Sequence, residues 1–351
     1  MSKWTAKSLC DYISSRPELL AVTKKYPFRI TSHVASLIKH PGDPLWLQFV
    51  PDSRELENDG GYEDPLGEES LSPLPNLVHR YPDRVLWIVT SECAAYCRFC
   101  TRKRLWNKKV HIDQRSIRDV VEYLRHNKRI SEVLVSGGDP LLIRTTKLRE
   151  FFSAIRRVKH ISVIRVGTRL PIVSPQSITR KKMDLLREFQ PLYVMLHINH
   201  PSELNDPVCE VLSRMADCGI PMASQTVLLR GVNDRAEILR ELFVKLLALR
   251  VRPYYLLQAD LMKGTSHFRA PISEGLRIMF ELRHRTSGLA IPHYMVDLPE
   301  GGGKIELTPS FIEAVCENRV IFRNRLGKPA FYPLFHGEKR VLRRLLLPRL
   351  E

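Results

Sequence analysis

Six short apolar runs recur between residues 85 and 258, each separated from the next by enough chain for a helix. They are VLWIVT (85–90), EVLVS (132–136), SVIRV (162–166), LYVMLHI (192–198), PMASQTVLL (221–229) and PYYLLQ (253–258). Their β-branched and aromatic content predicts strands. The stretches between them carry apolar residues at helical spacing. Asp113 can cap one helix in which Ile117, Val120, Val121 and Leu124 share a face. Asp206 and Pro207 open a second, with Val208, Val211, Leu212 and Met215 inward. Asp234 can cap a third, lined by Ile238, Leu239, Leu242, Phe243 and Leu246. Strand alternating with helix implies right-handed βαβ units and a parallel sheet. Six units are too few to close an eight-stranded barrel, so the expected fold is an open, partial (β/α)6 TIM-like barrel.

Around this core, spanning 81–290, the pattern is less regular. Residues 1–80 read as a mostly helical extension with proline breaks, and the acidic stretch ELENDGGYEDPLGEE (55–69) as an exposed loop. Residues 291–351 form a C-terminal segment whose tail, GEKRVLRRLLLPRLE, suits a basic amphipathic helix. No apolar run approaches the roughly 20 residues a bilayer span requires, and the N-terminus has no signal-peptide core. The seven unevenly spaced cysteines do not form a secreted disulfide framework. A cytoplasmic protein with reduced thiols is expected. The net charge of +17 suits nucleic acid, an acidic partner or anionic cofactors, but the bases are spread along the whole chain, as on a solvated surface.

The chemistry concentrates in TSECAAYCRFCTRKR, directly after the first predicted strand. In barrels of this kind the working loops follow the carboxyl ends of the strands. Cys93, Cys97 and Cys100 have the spacing C-x3-C-x2-C. Spacing alone leaves three readings: a four-iron cluster with one open iron, a zinc site completed by a residue such as His111, or buried unliganded thiols. After the second strand comes SGGDP, in which Ser136, Gly137, Gly138 and Asp139 can approach a cofactor closely. Further on, VDLPEGGGKIEL delivers one lysine, Lys304, from a glycine run; it lacks P-loop spacing, but such a lysine can form a Schiff base.

The cysteine spacing, with Phe99 as its aromatic, and the glycine loop resemble the radical S-adenosylmethionine superfamily. HRYPDRVLWIVT, CRFCTRKR, LVSGGDPLL, VGTRLPIVSPQSIT, HINHP, QTVLLRGVND, RPYYLLQADL, HFRAPIS and TSG extend the likeness over residues 70–325 to the lysine 2,3-aminomutase family. The resemblance implies a [4Fe–4S] cluster on Cys93, Cys97 and Cys100, and S-adenosylmethionine against Ser136, Gly137, Gly138 and Asp139. It also implies pyridoxal 5′-phosphate on Lys304, with Arg80 and Arg84 as further candidates to hold that coenzyme. Arg102 matches the arginine that pairs with the substrate α-carboxylate; Asp260 and Asp297 match the two carboxylates that hold the distal ammonium of lysine. The expected partners are an amino-acid substrate and an electron donor such as flavodoxin or ferredoxin, with no membrane and no nucleic acid, and homo-oligomeric assembly.

Within the family, Asp297 argues for free lysine, while the short chain fits the branch that isomerises a lysine for elongation factor P; another amino acid is a further alternative. Arg235 stands where the longer type has a zinc cysteine, so no structural zinc is expected. A basic zinc nucleic-acid-binding protein is the alternative from another class. It explains CRFCTRKR but neither the glycine loop nor the six βα units.

Overall fold

A computed structural model describes residues 4–58, 60–308, 311–323 and 328–346. All six predicted strands form, and the sheet extends beyond them at both ends. A nine-stranded sheet runs in chain order: β1 (Leu77–Tyr81), β2 (Arg84–Thr90), β3 (Glu132–Gly137), β4 (Val163–Thr168), β5 (Leu192–His197), β6 (Met222–Leu228), β7 (Val251–Gln258), β8 (His293–Leu298) and β9 (Gly303–Glu306). Strands β2 to β8 pair in parallel, whereas β1 and β9 are antiparallel edges. The seventh parallel strand, β8, carries Asp297 and adds to the six strands that the apolar runs predict.

The sheet curls until its two edges meet through side chains. Arg80 on β1 donates to both carboxylate oxygens of Asp297 on β8, at 2.8 and 3.1 Å. The Tyr81 hydroxyl accepts from the Lys304 amide on β9 at 2.9 Å. Helices pack outside. The helix Gln114–His126 buries Ile117, Val120, Val121 and Leu124 and is capped by Asp113, each such side chain contributing roughly 1.5–3 kcal/mol when fully buried. The third helix starts later than expected. Its cap, Arg235, makes no side-chain bond, because Asn233 rather than Asp234 organises the turn, accepting from Leu229 N and donating to the carbonyls of Asn199 and Val227.

Four short N-terminal helices between Ala6 and Phe49 cover the cysteine loop. Beyond β9, β10 (Ile312–Val315), β11 (Arg319–Arg323) and β12 (Pro329–Pro333) form a separate antiparallel sheet. The amphipathic helix expected in the tail runs from Glu338 to Leu346, and residues 347–351 lie outside the described residues. No helix among the described residues is long and apolar enough to cross a membrane.

Candidate active site

From Thr90 the chain runs to the 3-10 turn Lys103–Leu105 without strand or helix, so neighbours must hold the cysteines in place. One is the N-terminal segment. Tyr96 N donates to Arg29 O at 2.9 Å and Arg98 N to Gln48 O at 2.8 Å. The Arg98 guanidinium grips Glu55 at 2.9 and 2.8 Å, and Lys103 Nζ reaches the same carboxylate at 2.7 Å. Both ion pairs are fully buried, and removing one partner of such a pair costs about 3–5 kcal/mol. The acidic stretch 55–69 is therefore only in part the exposed loop that its composition suggests: Glu57, Glu63 and Glu69 are exposed, but two of its acids turn inward. Glu55 and Glu68 are buried, and they neutralise the basic run behind the cysteines.

The other neighbour is the loop after β3. Gly138 N donates to Thr90 O at 2.6 Å and Asp139 N to Glu92 O at 2.7 Å. A Cβ on Gly137 would sit 2.2 Å from Thr90 O, at φ +128°, and one on Gly138 would sit 2.3 Å from Glu92 O. The glycines thus give room first to the cysteine-loop backbone. Asp139 is buried and accepts from Leu141 N, Thr168 Oγ1 and Arg169 N at 3.1, 2.6 and 2.7 Å. It ties β3 to β4 while lining the cavity.

Cys93, Cys97 and Cys100 line one cavity of about 470 Å³ at the carboxyl ends of the strands, together with Ser136, Gly137 and Gly138. Burial, reinforced by Asp139 and the neighbouring thiols, raises the Cys93 thiol far above its ordinary range; burial and Cys97 push Cys100 up to about 11. Three thiolates this close need compensating positive charge, which a metal centre supplies. Part of it is already present. The buried Arg169 donates to Cys97 Sγ at 2.8 Å, to Gln48 at 2.6 Å and to Glu203 at 2.7 Å. Burial alone would lower its pKa, but Cys97 and Glu203 reverse that and raise it. Arg169 lies within the quoted VGTRLP, yet nothing in the sequence linked it to Cys97. Among the described residues, no three His, Cys, Asp or Glu side chains converge on a single ion. The donor set suits a multi-iron cluster, whose ligands bind separate irons.

In the same cavity, the β8–β9 hairpin places Asp297 opposite Lys304 in register. Lys304 Nζ ion-pairs with Asp297 Oδ2, so this carboxylate carries both Arg80 and Lys304. Asp260 follows β7 in the same cavity. Burial, then the nearby charge of Asp297, raises its carboxyl to about 7, while Lys304 and Arg80 oppose the shift. Arg84 stands apart from this group: it pairs with Asp83 at 2.9 Å and lies over the Tyr81 ring at 3.9 Å, still lining the cavity. Arg102 also lines it, bonded to Glu68. His197 forms part of the wall, stacked on Phe99 at 5.4 Å and kept neutral by burial. Only its place at the carboxyl end of β5 could have signalled it.

Comparison with known proteins decides the family. Residues 87–242 match the radical SAM superfamily and residues 279–336 match the family described as lysine-2,3-aminomutase. The chain is 43% identical over 317 residues to the L-lysine 2,3-aminomutase of Methanococcus maripaludis, covering 89% of this chain and 73% of that protein. The chain belongs to the lysine 2,3-aminomutase family. A second member, the L-lysine 2,3-aminomutase of Clostridium subterminale, is 40% identical over 92% of this chain and 80% of its own length. The glutamate 2,3-aminomutase of Clostridioides difficile is 35% identical over 93% of this chain and 81% of its own. Membership makes the protein an isomerase and implies a [4Fe–4S] cluster, S-adenosylmethionine and pyridoxal phosphate. The cavity suits all three. Its lining holds the thiols and the glycine loop and also a lysine among arginines, able to receive an anionic carbonyl cofactor.

Proposed function

We propose that this aminomutase moves the amino group of L-lysine from Cα to Cβ. The observation that carries the reading is one cavity with a guanidinium, Arg102, beside the glycine loop and two carboxylates, Asp260 and Asp297, beside Lys304. A substrate with a carboxylate at one end and a cation at the other matches that polarity. A second carboxylate in place of the cation, as in glutamate, would face Asp260 and Asp297 with like charge.

The chemistry that the bound groups supply is hydrogen-atom abstraction by a deoxyadenosyl radical and imine conjugation of the migrating nitrogen. The protein supplies placement and proton control. Cys93, Cys97 and Cys100 would hold the cluster, and Ser136, Gly137, Gly138 and Asp139, which line the same cavity, would receive S-adenosylmethionine. Lys304 Nζ must shed a proton before it can bond to a carbonyl, and Asp297 Oδ2 is the acceptor beside it. Arg80 keeps that carboxylate in place, and Arg84 adds positive charge at the cavity wall for the coenzyme phosphate. Met195, Val227, Leu257 and Met295 make part of the wall apolar, which limits water near a reactive radical. An external one-electron donor of the flavodoxin or ferredoxin kind completes the reaction.

The coenzyme assignment is tested by borohydride reduction of the loaded protein, which is expected to fix a pyridoxyl group on Lys304, located by peptide mass. A label on another lysine, or no label, overturns it.

Asp260 gives a pH dependence. A carboxyl that titrates near 7 is protonated below that pH and must ionise to face an ammonium. Lysine affinity should therefore rise with pH between 6 and 8, by up to about tenfold per unit on the acidic side, with proton release on binding. Calorimetry in buffers of different ionisation heat reads that proton, and Asp260→Asn should remove it.

A further inference from the structure

Arg102 presents two hydrogen-bonding edges, and they are engaged unequally. Its Nε reaches both oxygens of Glu68 at 3.0 Å and its Nη2 reaches Oε1 at 2.6 Å, a side-on bidentate pair. The end-on edge is nearly free. Among the described residues Nη1 has only Ser136 Oγ at 3.4 Å and Gly137 O at 3.5 Å, both at the limit of a hydrogen bond and both on the cavity wall. Glu68 is itself buried and braced from the far side by Arg104 Nη2 at 2.9 Å. Burial pushes its carboxyl upward, but Arg102 and Arg104 outweigh it and hold the group down to about 2.

The segment that carries Glu68 touches the two other anchoring loops as well. Tyr62 exchanges backbone hydrogen bonds with the loop after Asp260, accepting from Lys263 N at 3.0 Å and donating to Leu261 O at 2.8 Å. Gly67, at φ +62°, abuts the turn that leads into Lys304: a Cβ there would lie 3.0 Å from the Glu300 carbonyl carbon. In that same turn, a Cβ on Gly301 would lie 2.6 Å from Leu71. One backbone strap therefore fixes Glu68 relative to the loops bearing Arg102, Asp260 and Lys304.

We infer that Glu68 is a positioning residue for substrate recognition: it occupies the side-on edge of Arg102 and aims the end-on edge into the cavity for the amino acid's α-carboxylate. The inference rests on the reading of Arg102 as the carboxylate anchor. A guanidinium without Glu68 would keep its charge but lose its direction, and a misplacement of ~1 Å at a binding group can cost about 100-fold.

The test compares L-lysine with L-lysinamide, which lacks the carboxylate, binding to the cofactor-loaded full-length protein by calorimetry, alongside KM and kcat for lysine. Glu68→Gln should weaken lysine about tenfold to 100-fold in Kd and KM, with a much smaller change in kcat, and leave lysinamide unchanged. Equal weakening of both ligands would make Glu68 merely structural, and tighter lysine binding would make it a competitor; either result, or no change, overturns the proposal. If the glutamine variant fails to take up the cluster, Glu68→Asp, which keeps the charge but withdraws it by one methylene, should give the same pattern at smaller size. Arg102→Lys separates the two claims. If it leaves the lysine-to-lysinamide ratio unchanged, the anchor reading falls; if it collapses the ratio while both Glu68 variants do not, Glu68 alone is wrong.

Discussion

Replacing Cys93, Cys97 or Cys100 by serine, one at a time, is expected to abolish the brown iron–sulfur absorbance and all reductive cleavage of S-adenosylmethionine. With three thiolates holding a four-iron cluster, losing one leaves two irons without protein ligands. The remaining buried thiols then return toward the protonated form that burial favours. Serine variants of Cys10, Cys209, Cys218 and Cys316 should keep both signals, because none of these lines the cavity. Cys10 is exposed on the first helix, Cys209 lies on the helix Asp206–Asp217 with Cys218 as its cap, and Cys316 joins β10 to β11. Absorbance after anaerobic reconstitution reads the result. Loss of the cluster on changing Cys209 or Cys218 would contradict the three-thiol site.

Asp297→Ala is expected to lower lysine turnover by two to three orders of magnitude. This carboxylate is 4% exposed and joins two protein cations, Arg80 and Lys304, before any substrate arrives. Its removal leaves two partly buried cations without their carboxylate; for a fully buried pair the loss of one partner costs about 3–5 kcal/mol. At about 1.36 kcal/mol per tenfold, the lower part of that range already gives the expected loss. The variant also lacks the acceptor for the Lys304 proton, so pyridoxyl labelling should slow in parallel. Cleavage of S-adenosylmethionine without amino acid should continue, since Asp297 bonds Arg80 and Lys304 and not the cysteine loop. Unchanged lysine turnover in this variant would remove Asp297 from the site.

The barrel and the cysteine end of the site were legible because each announces itself locally. Buried strands of a parallel sheet read as apolar runs, and three cysteines within eight residues need no tertiary information. Strand β8 was missed because its sequence, HYMVDL, opens on a histidine and sets the charged residue the site uses, Asp297, one position before its end. The pairings were not legible, since they join residues far apart in the chain. Arg80 and Asp297 are 217 positions apart, and Arg169 and Cys97 are 72 apart. The acidic strap misled for a related reason. Glu55 and Glu68 look solvated until the chain brings Arg98, Lys103, Arg102 and Arg104 against them, and only the matching charge of the two segments hinted at this. Asp139 shows the converse, a residue chosen for a ligand role that also locks two strands together.

The most direct measurement follows the nitrogen itself. Reconstituted protein is incubated anaerobically with S-adenosylmethionine, pyridoxal phosphate, a reductant and L-lysine labelled with ¹⁵N on the α-amino group, and the products are read by ¹³C–¹⁵N coupling. The account predicts β-lysine with the label on Cβ, formed only when both cofactors are present. Lysine recovered unchanged while S-adenosylmethionine is cleaved and another amino acid from a panel is isomerised would contradict lysine as the substrate of this site.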